Sequence, residues 1–123
     1  IQPMSYRGKL LGATAENWAA NLLEKKKLQI LKRNFRTKYG EIDLLARDGA
    51  ALVIVEVKAK TSDNQGAAIE MITPRKREKL ILLAHELMMK YKTGNVRIDV
   101  VTIDSAEDDP QLKHHKGIIE LNS

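Results

Sequence analysis

The sequence predicts a single α/β domain with a mixed β-sheet flanked by helices, and three observations predict it. Two apolar stripes of helical period bracket a block of strand-like runs. The dipeptide Asp48-Gly49 stands between two of those runs as a hairpin signal. Residues 50–55 are apolar throughout, the mark of a strand covered on both faces. The order reads α-β-β-β-α-β, without internal repeat or linker. A chain of 123 residues is one domain's worth and can bury a core without disulfide staples. With 43% hydrophobic and 30% charged residues, a disordered tail or a fibre is excluded.

Each element has its own warrant. Ala15, Trp18, Ala19, Leu22 and Leu23 share one face of a helix expected over residues 14–27. Residues 30–36, mixed apolar and basic, read as an edge strand, and Lys38-Tyr39-Gly40 as a turn. Residues 41–47 and 50–60 are the two arms of the hairpin. A polar loop is expected over 61–66 and a helical turn over 67–71. Thr73 is placed to cap the longest helix, with Pro74 at its first position. Leu80, Ala84, Leu87 and Tyr91 form its buried stripe, and Gly94-Asn95 ends it. Residues 96–103 make another strand, 104–110 an acidic loop, and 117–121 a short final strand. Ile1-Gln2-Pro3 reads as an added or processed leader. Residues 1–7 are accordingly set apart as an added or flexible N-terminal segment, and 8–123 as the domain.

Composition narrows the function. No cysteine means no disulfide framework and no thiolate metal site, which fits a cytoplasmic protein. No apolar run is long enough to span a bilayer. Residues 1–103 carry a net charge of +8 and the last twenty −3. A basic body suits a polyanion, nucleic acid before membrane, although a solvated lysine-rich surface has the same composition. Few aromatics argue against single-strand binding by stacking. His85, His114 and His115 do not have the spacing of a metal site.

The hairpin yields a register. With Asp48-Gly49 as its loop, Arg47 faces Ala50, Asp43 faces Ile54 and Glu41 faces Glu56. Paired residues share a face, so Glu41, Asp43, Glu56 and Lys58 project together, with Asp43 diagonal to Glu56 at roughly 7–8 Å. Like charges on a covered strand are costly, and one lysine does not neutralise three acids. A hard divalent cation does, and could activate water for phosphodiester hydrolysis. The same spacing also fits a strand end emerging into solvent, with Glu56 and Lys58 as a surface pair.

The run Tyr39-Gly40-Glu41-Ile42-Asp43-Leu44-Leu45-Ala46, followed by Val55-Glu56-Val57-Lys58, resembles the YraN family of predicted bacterial endonucleases. That family is similar to archaeal Holliday-junction resolvases and to the PD-(D/E)xK, restriction-endonuclease-like superfamily. The resemblance runs from about Gly12 to Asp104. It takes in Glu16, Asn34-Phe35-Arg36, Gly66 and Arg97-Ile98-Asp99-Val100-Val101. It implies a restriction-endonuclease-like αβββαβ core and a nuclease-like domain using Mg or Mn. Asp43 matches the metal-binding acid of the second strand. Glu56 matches the acid of the ExK motif, with the carbonyl of Val57 as a further ligand. Lys58 matches the catalytic lysine, and Glu16 the acid on the first helix that completes the site. Glu41 would hold a water or a second ion. The sequence departs from the pattern in three places: Ile42 replaces the motif's proline, Lys60 stands where arginine is common, and the C-terminal tail differs.

Two functional readings follow. The first is a metal-dependent nuclease acting on DNA, branched or repair-intermediate DNA included. The alternative is an inactive nucleic-acid-binding module of the same fold that serves a repair or recombination partner. Arg36, Lys38, Lys60, Arg75, Lys76 and Lys79 are the residues expected on the phosphate backbone. Arg75, Lys76 and Lys79 crowd a helix start, where cations oppose the macrodipole unless an anion binds. Glu16 has a bland reading too, as an acid complementing a helix N-terminus. A homodimer would supply two sites for cutting two strands.

Overall fold

The computed structural model describes residues 4–60, 70, 72–104 and 110–121, with side chains of α1 described from Thr14 onward and that of Lys60 not described. The elements are α1 (Met4–Lys25), β1 (Gln29–Thr37), β2 (Gly40–Asp48), β3 (Ala51–Lys60), α2 (Pro74–Tyr91), β4 (Val96–Asp104) and β5 (Gln111–His115). They form a five-stranded sheet in the order β1-β2-β3-β4-β5. β3 and β4 are parallel, joined through α2, and the other neighbours are antiparallel. This is the mixed α/β sheet with the αβββαβ order that the sequence predicts, extended by one edge strand.

Two cores lie on the two faces of the sheet. On one, Leu80, Leu83, Ala84 and Leu87 of α2 cover Leu45, Leu52, Ile54, Val96, Ile98 and Val100. On the other, Ala15, Ala19, Ala20 and Leu23 of α1 cover Leu44, Ala46, Val53, Val55, Val101 and Ile103. The three alanines let that helix approach closely, and Trp18 and Leu22 pack at its margin. β3 is therefore apolar on both faces, as its unbroken apolar run requires.

Local chemistry sets several boundaries. Thr73 caps α2, its Oγ1 accepting from Lys76 N–H at 3.1 Å. The helix ends earlier than Gly94-Asn95: Lys92 adopts the left-handed cap conformation at φ 52°. Tyr91, expected in the buried stripe, is 40% exposed because Leu83 takes that face together with Leu80, Ala84 and Leu87. The first helix starts at Met4, taking in residues 4–7 of the segment set apart above. The hairpin loop is Gly49-Ala50, since Asp48 already pairs with Ala51. The final strand is Gln111–His115 and not 117–121. Its mixed polar sequence suits an edge exposed on one side, while beyond it the Ile118 N–H still donates to the Ile98 carbonyl at 3.0 Å and Ile118 and Ile119 pack into the α2-side core. The expected loop at 61–66 and most of the turn at 67–71 lie outside the described residues, as do 105–109. Among the described residues, no helix is long and apolar enough to cross a membrane.

A buried polar network ties β4 to β5. Asp99, fully buried, accepts from Arg97 Nε at 2.8 Å and Nη2 at 3.0 Å, from His114 Nε2 at 2.7 Å and from Gly117 N–H at 2.8 Å. Arg97 also reaches Asp48 at 3.0 Å at the hairpin end. His114 accepts from Lys26 Nζ at Nδ1, 3.1 Å away, so its neutral form carries the proton toward Asp99. Burial alone would raise the Asp99 carboxyl, but these donors hold it down to about 2. Its stabilisation is thus complete above pH ~4 and is lost as pH falls toward 2. Asp99→Asn is expected to cost about 3 kcal/mol at pH 7 and to flatten the acid limb of stability in that window, measured by urea melts. An unchanged acid limb would contradict the assignment.

Candidate active site

The β2–β3 ladder stops at Leu44↔Val55. Beyond it the Val57 N–H donates to Asp43 Oδ2 at 2.9 Å, so a carboxylate takes a donor that a strand carbonyl would otherwise satisfy. β3 remains paired to β4 as far as Lys60↔Asp104. One side of β3 is thus held while the other opens at Glu56 to Lys58.

The register itself corrects the expected one. Partner numbers are offset by two, so that Leu45 faces Ile54 and Arg47 faces Leu52. A shift of two preserves which residues share a face, whereas a shift of one would have exchanged them. The shared face is nevertheless broken locally. Ile42 packs in the α2-side core with Leu45, while Leu44 packs in the α1-side core. Strict alternation would place Ile42 with Leu44, so β2 turns over where its ladder to β3 ends. Glu41, Asp43, Glu56 and Lys58 are therefore not one flat row. Glu56 follows Leu52 and Ile54 toward α2, and Asp43 lies between it and Glu16 of α1.

The electrostatics are unfavourable in isolation. Glu56 is only 6% exposed. Its carboxyl is pushed up to about 7, first by burial and then by the Asp43 carboxyl within hydrogen-bond reach, with Lys76 opposing. Lys76 Nζ lies 3.0 Å from Glu56 Oε2, and this single counter-charge does not outweigh burial and Asp43. Glu16 is raised as well, by burial and then by Asp43, with Glu41 adding a smaller push and an Asn34 hydrogen bond opposing. Asn34 reaches it from a left-handed backbone at φ 49°, and the adjacent Arg33 donates to Asn17 on the same helix.

Two acids at hydrogen-bond distance, one of them buried, make an oxygen donor set suited to a hard divalent cation. Among the described residues, no three His, Cys, Asp or Glu side chains converge as a complete cage. The remaining ligands would come from the main chain, from water or from substrate.

The expected residues separate into groups. Asp43 and Glu56 meet; Glu16 lies close enough to feel Asp43; Lys58 is half-buried two residues beyond Glu56 on β3. Lys76, expected on phosphate, instead faces Glu56, because its place in the first turn of α2 points it at the covered strand. Arg75 is exposed at the same helix start. Arg36, Lys38 and Lys79 gather elsewhere, lining a cleft with Glu41. The sequence reading named Lys76 for phosphate and did not foresee its pairing with Glu56, and it missed Asn34 as the partner of Glu16. Only the pre-set helix start at Thr73-Pro74 hinted at the first, and nothing marked the left-handed turn at Asn34.

A family model described as "Uncharacterised protein family UPF0102" matches residues 15–103. A UPF0102 protein of Herminiimonas arsenicoxydans is 41% identical over 99 residues, 80% of each chain. One from Pelotomaculum thermopropionicum is 48% identical over 97 residues, 77% of this chain and 81% of its own. One from Methylococcus capsulatus is 36% identical over 112 residues, 90% of this chain and 91% of its own. The solved structure of Pyrococcus furiosus SfsA in complex with Ca²⁺ aligns with a TM-score of 0.40 at 16% identity, covering 98% of this chain and 66% of that one.

The raised Glu56 has a signed consequence. Its folded value near 7 exceeds the ordinary 4.5, so the folded protein keeps a proton that the unfolded chain releases. Stability therefore falls as pH rises from about 4.5 through 7. Glu56→Gln, neutral throughout, should gain about 3 kcal/mol on the parent at pH 8 and almost nothing at pH 4.5, measured in EDTA. Identical pH profiles would contradict the buried, proton-sharing pair.

Proposed function

Because the chain belongs to the UPF0102 family, which is the YraN family, we propose that it is a metal-dependent nuclease hydrolysing phosphodiester bonds in DNA, branched or repair-intermediate DNA included. The observation that carries the reading is the buried Glu56 pressed against Asp43, with Lys76 as its one counter-charge. A cation held between the two carboxylates would offset the burial and repulsion that raise Glu56. Asp43, Glu56 and the main-chain oxygen of Val57 would hold Mg²⁺ or Mn²⁺, which supplies charge stabilisation at the phosphate and activation of water.

The protein's own groups do the rest. The Val57 N–H fixes the Asp43 carboxylate, so its free oxygen faces the site without reorganisation. Lys76 opposes the protonation of Glu56 that burial favours, keeping its carboxylate available near neutral pH. Lys58 follows Glu56 by two residues and would donate to the attacking water or to a phosphate oxygen. Glu16, raised by its surroundings, would accept a proton from water.

One observation favours the inactive binding module: among the described residues, no complete three-side-chain cage is present. The two readings separate on labelled duplex and branched DNA with Mg²⁺ or Mn²⁺. Asp43→Ala, Glu56→Ala and Lys58→Ala should each reduce cleavage by about 10²-fold or more while circular dichroism stays native. Cleavage at the parent rate by all three would sink the nuclease reading. Salt-sensitive binding without cleavage in any of the proteins would establish the module instead.

A further inference from the structure

The cleft beside the carboxylates encloses about 380 Å³ and is lined by Arg36, Thr37, Lys38, Tyr39, Gly40, Glu41 and Lys79. Its cations come from two separate elements, the β1–β2 turn and α2. The turn is built rigidly: Thr37 Oγ1 donates to the Gly40 carbonyl at 2.9 Å and accepts from Tyr39 N–H at 3.2 Å. Gly40 sits at φ 142°, a backbone conformation that side-chain-bearing residues rarely adopt, and the stem of Lys79 crosses 3.6 Å from its Cβ position. Tyr39 remains 38% exposed, with the Lys38 ammonium 5.7 Å from its ring centre.

Each wall of the cleft belongs to an element that also carries a residue of the candidate site. Lys79 follows Lys76 by three residues, about one turn of helix, and Lys76 touches Glu56. Glu41 precedes Asp43 by two residues, about 7 Å along the strand. A chain whose scissile phosphate lay at Asp43 and Glu56 would place a neighbouring nucleotide in this cleft. The Arg36–Glu41 pair, at 3.8 Å and largely exposed, is too weak to keep Arg36 from a phosphate.

Resting on the nuclease reading, we propose that this cleft binds an unpaired nucleotide next to the cleaved bond, so that the substrate is nucleic acid with a single-stranded segment at the cut. Arg36, Lys38 and Lys79 take its phosphate, and Tyr39 takes the face of its base. The few aromatics speak against a run of stacked bases, but one exposed ring among cations can hold one unpaired base, because a base stacked within a duplex offers no free face. Glu41 repels a phosphate from the cleft's inner wall and so keeps the anion at the cationic rim, leaving its carboxylate as an acceptor for a base amino group.

The test uses fluorescein-labelled DNA in EDTA, so that binding is read without cleavage: a single strand, a duplex with a single-stranded overhang, and a blunt hairpin duplex. The parent protein should prefer the first two. Tyr39→Leu should weaken those two by about tenfold and remove the preference. Arg36→Ala with Lys79→Ala should reduce the slope of log affinity against log salt by about 0.7 on the single strand, the share of one phosphate. A parent that prefers the blunt duplex or binds none of the three overturns the proposal, as does a Tyr39→Leu protein with an intact preference. Parallel cleavage assays with Mn²⁺ keep the outcomes apart. Tyr39-dependent binding without cleavage removes the catalytic reading alone, and cleavage without Tyr39-dependent binding removes the cleft assignment alone.

Discussion

Val57 gives its backbone N–H to the Asp43 carboxylate at 2.9 Å, and that single substitution of side chain for strand carbonyl organises the open end of the sheet. It ends the β2–β3 ladder, frees the outer edge of β3 at Glu56 and Lys58, and lets β2 turn over so that Ile42 fills the α2-side core. The same bond holds Asp43 beside Glu56. β4 secures β3 from the other side, so the opening does not unravel the sheet. Removing the bond would leave a strand donor unsatisfied and a carboxylate unfixed, coupling local stability to site geometry.

Two carboxyls on adjacent strands, Asp99 of β4 and Glu56 of β3, manage burial in opposite ways. Around Asp99, a bidentate arginine, a histidine and a backbone N–H satisfy the carboxylate, and it stays ionised. Around Glu56, burial and a neighbouring acid outweigh one lysine, and the carboxyl is raised. The first arrangement holds the edge strand in place. The second is destabilising by itself at neutral pH, the condition expected of a site completed by a cation.

Much of this could be read from the residues, and the failures have physical causes. The apolar run through Val55 identified a strand buried on both faces, and Thr73-Pro74 identified the start of α2, because each signal is local. Glu41, Asp43, Glu56 and Lys58 were assigned to one end of one hairpin, which survives a two-residue error in register. The turnover at Ile42 was invisible, since it depends on where the ladder ends. Lys76 was misjudged because its pairing with Glu56 requires knowing how α2 lies across the sheet. The Asp99–His114 pair joins residues 15 apart across an edge strand whose sequence gave no strand signal.

The central claim is that Asp43 and Glu56 together form a cation site. It is tested most directly by thermal melts of the protein titrated with Mn²⁺, beside an Asp43→Ala/Glu56→Ala double variant. At a hundred times its dissociation constant, a ligand stabilises the folded state by about 2.7 kcal/mol, well above the resolution of a melt. The account predicts a rise in Tm for the parent and none for the double variant. Equal shifts in both proteins, or no shift in the parent, would contradict it.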